Sequence, residues 1–247
     1  MELTYTLLAC ADPAALAAAD LPAQDLVFTA VDPADFGLCC RRLAGLLNNL
    51  SGAADPLLAE LFAPLLPAAR YQIQVTAVAG VPAPYDAWCS ADGRLFFNLS
   101  QWDPARLEAS GAAVILHESA HFLIRQLSGL PQPASPREQL EYLIFDEGLA
   151  HYAGFPPGRQ RLLSAYGQHW APAESATAAA LARLDDPRVS VTEAQTLLSA
   201  ADSGPYWDKY GSICGMFRAA WYAGQSLEAL RACLITGRLP HAPQMPA

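Results

Sequence analysis

Tyr71-Gln72-Ile73-Gln74-Val75-Thr76 alternates apolar and polar side chains with a period of two, which predicts a half-buried strand. Ahead of it, Leu3 to Ala9 and Leu26 to Val31 are short apolar runs bounded by Asp-Pro pairs, and both are read as strands. Asp35 to Asn49 and Pro56 to Leu66 carry Leu and Ala at helical spacing and run out near Gly52 and Pro67, so each predicts a helix. Ala87 to Ser90 and Leu95 to Leu99 flank Ala91-Asp92-Gly93-Arg94, whose Asp-Gly step suits a hairpin turn. The opening is therefore α/β, with a small antiparallel or mixed sheet set before the helices that follow.

Asp103-Pro104 can cap and start the next helix, with Ser110-Gly111 as a candidate interruption. Its apolar pattern runs through His121 to Leu127 and stops before Gly129 and Pro131. Ser135-Pro136-Arg137-Glu138 has the form of a capping box with proline at the first helical position, opening a helix that reaches about Gly154. Beyond it the pattern stays helical, with breaks expected at Pro172, Asp186-Pro187, Gly204-Pro205 and Gly224, and a loose tail from Gly237. No repeat and no long low-complexity linker divides the chain. The expected architecture is a single, mainly helical α+β domain: an α/β portion over residues 1–70, a core over 71–236 and the tail over 237–247.

With 247 residues, 53% of them hydrophobic and 16% charged, the chain can bury a sizeable core without staples. A formal charge of −9 and the lack of a basic stripe, Arg41-Arg42 being an isolated pair, exclude nucleic acid as an expected partner. Six cysteines, with no C-x-x-C and no recurring spacing, read as reduced core residues. Leu7-Leu8-Ala9-Cys10 has the outline of a lipoprotein cleavage site, but Glu2 replaces a basic leader and the apolar run is short. No apolar run approaches the length of a membrane span, so the expectation is a soluble cytoplasmic protein without a membrane partner.

The chemistry is concentrated in His117-Glu118-Ser119-Ala120-His121, which has the form H-E-x-x-H in the middle of an expected helix. Residues at i and i+4 share a helix face, so His117 and His121 can offer imidazole nitrogens to one ion, and Glu118 then stands beside it. The pentapeptide is embedded among Ala113, Val114, Ile115, Leu116, Phe122, Leu123 and Ile124, where unpartnered polar groups are costly and a metal would resolve the cost. On the following helix Leu140, Ile144, Glu147 and His151 recur at three-to-four spacing, so Glu147 faces inward as the third ligand ahead of Asp146, Glu138 and Glu141. Asp146 could instead orient a ligand histidine. Two histidines and a carboxylate favour Zn2+ with a fourth position for water, and Glu118 is placed to take that water's proton. His169 and His241 stand apart and are assigned no chemistry.

His117 to His121 followed by Glu147-Gly148-Leu149-Ala150-His151-Tyr152 resembles the motif pair of the gluzincin metallopeptidases, with E-G-L-A-x-Y similar to the aminopeptidase N-like branch. The matching span covers the two central helices. The resemblance implies a minimal zincin-like hydrolase with one zinc held by His117, His121 and Glu147, Glu118 as general base, and a peptide or protein as substrate. It also implies a tyrosine as oxyanion donor. Tyr210 is the chosen candidate, Tyr206 an alternative on the same face of the expected helix, and His151 a third, as donor, second partner of the site or substitute ligand. In this family the edge strand before the metal helix aligns the substrate, and Leu95 to Leu99 is the candidate. The spacer between His121 and Glu147 is longer than in the aminopeptidases, and Gly93-Arg94-Leu95-Phe96-Phe97-Asn98 does not reproduce their G-x-M-E-N element, so aminopeptidase activity is not implied. Two alternatives stay open: a zinc hydrolase acting on another amide or an ester, and a catalytically inactive zinc-binding interaction protein.

Overall fold

The computed structural model describes residues 1–9, 32–51, 56–82, 85–155 and 159–242. These are mainly helical with one small mixed sheet, an α+β arrangement that divides into two compact units, Met1–Gln126 and Leu127–Ala247.

The first unit carries the sheet, built from β1 (Glu2–Ala9), β2 (Arg70–Val78), β3 (Ala87–Cys89) and β4 (Leu95–Asn98), in the order β1-β2-β4-β3. β1 lies parallel to β2 in a register from Glu2 opposite Arg70 to Ala9 opposite Ala77. A parallel pair needs a crossover, and α1 (Pro33–Leu50) and α2 (Pro56–Phe62) lie in that connection. The sheet therefore runs across position 70, where sequence alone suggested a boundary. The strand expected at Leu26 to Val31 lies outside the described residues.

Gly93, at φ 82°, makes the expected hairpin turn between β3 and β4. β4, however, is not an edge strand. It pairs parallel with β2 on one side and antiparallel with β3 on the other, and all four of its residues are buried. The substrate-aligning strand anticipated at Leu95 to Leu99 is thus an interior one, and β3 is the edge on that side. Pairing between distant strands, which local periodicity does not encode, decides this.

α3 (Pro104–Arg125) follows, capped by the Asp103 side chain on the Arg106 N–H with proline in its first turn. Gly111 does not interrupt it. A Cβ there would lie 2.7 Å from Leu46 Cδ1, so the glycine admits α1 against an unbroken α3. At the far end Arg125 donates to the Cys89 carbonyl at 2.8 Å and the Ser90 carbonyl at 2.5 Å, tying the helix to the hairpin.

The second unit is helical: α4 (Pro136–Gly154), α5 (Arg159–Leu184), α6 (Val191–Asp202), α7 (Tyr210–Gln225) and α8 (Leu227–Thr236). The capping box forms as expected, with Ser135 accepting from the Glu138 N–H and Glu138 from the Ser135 N–H. α4 and α7 pack closely through Gly148 and Gly215. Pro172 lies inside α5 and does not end it. Trp170 and Ala173, on either side, are buried with Ile213 and Phe217, and that packing carries the helix past the missing N–H. The breaks at Asp186-Pro187 and Gly204-Pro205 do separate helices, and α7 ends just after Gly224.

Residues 237–242 are packed rather than loose. Gly237 closes α8 in the left-handed conformation, Leu239 and Ala242 are 4% and 1% exposed, and Arg218 donates to the Leu239 carbonyl at 3.0 Å. Arg218 also pairs at 2.7 Å with Glu174, which accepts a bond from the Cys214 thiol at 3.0 Å and lies 2.5 Å from His241 Nδ1. The exposed His241 ring thus rests against the buried Arg218–Glu174 ion pair, which holds residues 239–242 in place. Among the described residues no helix is long and apolar enough to cross a membrane.

Candidate metal centre

The i, i+4 spacing does bring the histidines together. His117 and His121 Nε2 are 3.1 Å apart, with their rings edge to face at 78°. Two nitrogens bound tetrahedrally at about 2.0–2.1 Å from zinc would stand roughly 3.3 Å apart, so the pair needs little adjustment to share an ion. Glu118, one residue on, is buried, and its carboxylate reaches within 4.0 Å of His117 Nε2. It therefore stands beside one of the two facing imidazole nitrogens.

Glu147 stands in the second half of α4. One nitrogen from each of His117 and His121 and one Glu147 oxygen lie within 4.8 Å of one another, and among the described residues these three form the group able to hold a metal ion. The donor set, two imidazoles and a carboxylate, fits zinc with a position left open.

His151, one turn beyond Glu147, is almost fully buried. Its Nδ1 lies 2.9 Å from the Glu147 carbonyl oxygen and 3.6 Å from Oε2 of the same residue. A carbonyl only accepts, so the His151 Nδ1–H is the donor in this contact. Tyr206 packs its ring 5.4 Å from that of His151.

The two tyrosines do not share a helix face. Tyr206 lies in a separate 3-10 turn, Tyr206–Asp208, and α7 starts only at Tyr210. The Tyr210 hydroxyl donates to the Leu197 carbonyl at 2.6 Å and its ring joins the cluster of Leu140, Ile144 and Ala201. The Tyr206 hydroxyl approaches Met216 Sδ at 3.6 Å, a weak contact, while the residue as a whole is 42% exposed. Partial burial pushes the phenol pKa up to about 12, so Tyr206 remains a donor through neutral pH. His169, given no role from sequence, stacks on Trp207 at 3.9 Å, and Trp207 in turn meets Tyr206 edge to face.

Sequence reasoning passed over Tyr5 and Ser119. The Tyr5 hydroxyl lies 2.9 Å from Ser119 Oγ, inside the H-E-x-x-H turn. No local pattern signals a bond spanning 114 positions. Compared with known proteins, the chain matches no protein-family model, no curated protein and no solved structure.

Proposed function

We propose that this protein is a zinc-dependent metallopeptidase of gluzincin type, with His117, His121 and Glu147 as metal ligands and Glu118 as general base. The observation that carries the reading is the gathering of those three side chains with the Glu118 carboxylate beside His117. Zinc held there would polarise a scissile carbonyl and acidify the attacking water. Glu118 accepts the water's proton and returns it to the leaving amine. Charge on the former carbonyl oxygen calls for a donor. Tyr206 fills that place better than Tyr210, because the Tyr210 hydroxyl is engaged by the Leu197 carbonyl while Tyr206 makes only a weak contact to Met216 and borders His151. His151, whose Nδ1 engages the Glu147 carbonyl, acts as a further partner of the site or as a reserve ligand.

The substrate class rests on the resemblance of Glu147 to Tyr152 to the aminopeptidase N-like motif. An extended peptide would align along β3, the edge strand, instead of β4. The negative charge argues against nucleic acid, and the free thiols of Cys39, Cys40, Cys89, Cys214 and Cys233 suit a reducing cytoplasm. The test is digestion of a broad peptide library by zinc-loaded protein beside its Glu118→Gln variant. Cleavage by the parent, reduced at least about 100-fold in a variant that keeps its zinc, is the expected result. Turnover of esters or small amides alone would replace peptidase with another hydrolase, and bound zinc without turnover would replace it with a binding protein.

A further inference from the structure

We infer that Tyr5, on the N-terminal strand, is a positioning residue for the metal ligands, acting through Ser119. This rests on the reading of His117, His121 and Glu147 as a zinc site. Ser119 is 0% exposed and sits between the two histidines on α3. Its hydroxyl donates to the Ile115 carbonyl one turn back, at 2.7 Å. With that proton committed, the 2.9 Å contact with Tyr5 has one polarity: the phenol donates and Ser119 Oγ accepts.

A hydroxyl relay therefore runs from Tyr5 through Ser119 to Ile115. A serine bonded back to the i−4 carbonyl bends its helix and competes with the ladder bond there, so the rotamer of Ser119 sets the local pitch of the turn that spaces the histidines. Tyr5 fixes that rotamer. It is itself held on both sides, by pairing opposite Ile73 in the β1–β2 ladder and by its N–H, which donates to Ser51 Oγ at 3.3 Å. Ligands must be held to within about 0.5 Å for tight binding, and a 3.1 Å spacing between two nitrogens is sensitive to helix pitch. The N-terminal strand thus supports the metal site as well as extending the sheet.

The test compares zinc affinity, by competition with a chromogenic chelator, in the parent, Tyr5→Phe, Ser119→Ala and the double variant, alongside thermal melts of the metal-free proteins. Tyr5→Phe removes one oxygen and leaves the ring. Each single variant should bind zinc about fivefold more weakly, the equivalent of one ordinary hydrogen bond, and the double variant no more weakly than the worse single one. A purely structural hydroxyl would lower the melting temperature and leave zinc affinity at the parent value. That result, or additive losses in the double variant, overturns the inference while leaving the zinc site intact. A parent that takes up no zinc overturns the site itself, and this inference with it.

Discussion

Gly148 and Gly215 meet backbone to backbone where α4 crosses α7. A Cβ built on Gly215 would stand 2.7 Å from the Gly148 Cα and overlap the Ile144 carbonyl, while one built on Gly148 would fall 2.9 Å from the Gly215 carbonyl oxygen and closer still to its other backbone atoms. Neither obstacle is a flexible side-chain end. Gly148 also directly follows Glu147, so this crossing holds the stretch of α4 that carries the carboxylate.

Gly215→Ala should accordingly cost at least about 3 kcal/mol, because two packed helices must separate to admit one methyl group. Gly224→Ala, where nothing lies within 4 Å, is the control and should be nearly neutral. Urea unfolding of the three proteins gives both values.

Protein purified without chelator should carry close to one zinc per chain, measured by elemental analysis. His117→Ala and Glu147→Ala should each lose it, since two remaining ligands hold zinc weakly. Full zinc in either variant would remove that residue from the ligand set.

Tyr206 and Tyr210 should separate cleanly. Tyr210→Phe deletes the bond to Leu197 and should cost about 1 kcal/mol of stability with little change in kcat. Tyr206→Phe should leave the melting temperature nearly unchanged and lower kcat by about 100-fold, the scale of one lost oxyanion donor. The reverse pattern would return the role to Tyr210.

Glu174 sets a dependence on pH. Burial pushes its carboxyl up, but hydrogen bonds from Arg218 and Cys214, the Arg218 charge and His241 outweigh burial and hold it below the ordinary carboxylate range. A depressed carboxyl adds stability that is present above its unfolded value and is lost as pH falls through its folded value. Glu174→Gln should therefore cost about 3 kcal/mol at pH 7, with the gap to the parent narrowing well below about pH 4. Denaturant melts at both pH values measure the gap, and a constant gap would show that the carboxylate charge contributes nothing.

Features written within a few residues of one another were legible in the sequence. The Ser135 capping box, the Gly93 hairpin turn and the pairing of His117 with His121 all follow from spacing along one element. Features that join distant segments were not. Leu95 to Asn98 reads correctly as a strand, yet its interior place depends on a partner at Val75 to Val78. Pro172 looks like a stop until the burial of its neighbours is known. The region after Gly237 has the composition of a tail, but Arg218 and Glu174 hold Leu239 and His241 in place. Tyr206 and Tyr210 share a helix face only if one helix spans both, and the non-helical Lys209, at φ −71° and ψ 73°, separates them.

The ladder that sets Glu2 opposite Arg70 also constrains the order in which the chain can fold. β1 emerges before β2 during synthesis, its partner residues lie 68 positions further on, and the serine it reaches lies further on still. Contacts so remote in sequence form slowly, since a long loop must close before they give any return. Docking of the first strand is therefore expected late, and the histidine-bearing turn should reach its final geometry only at that step.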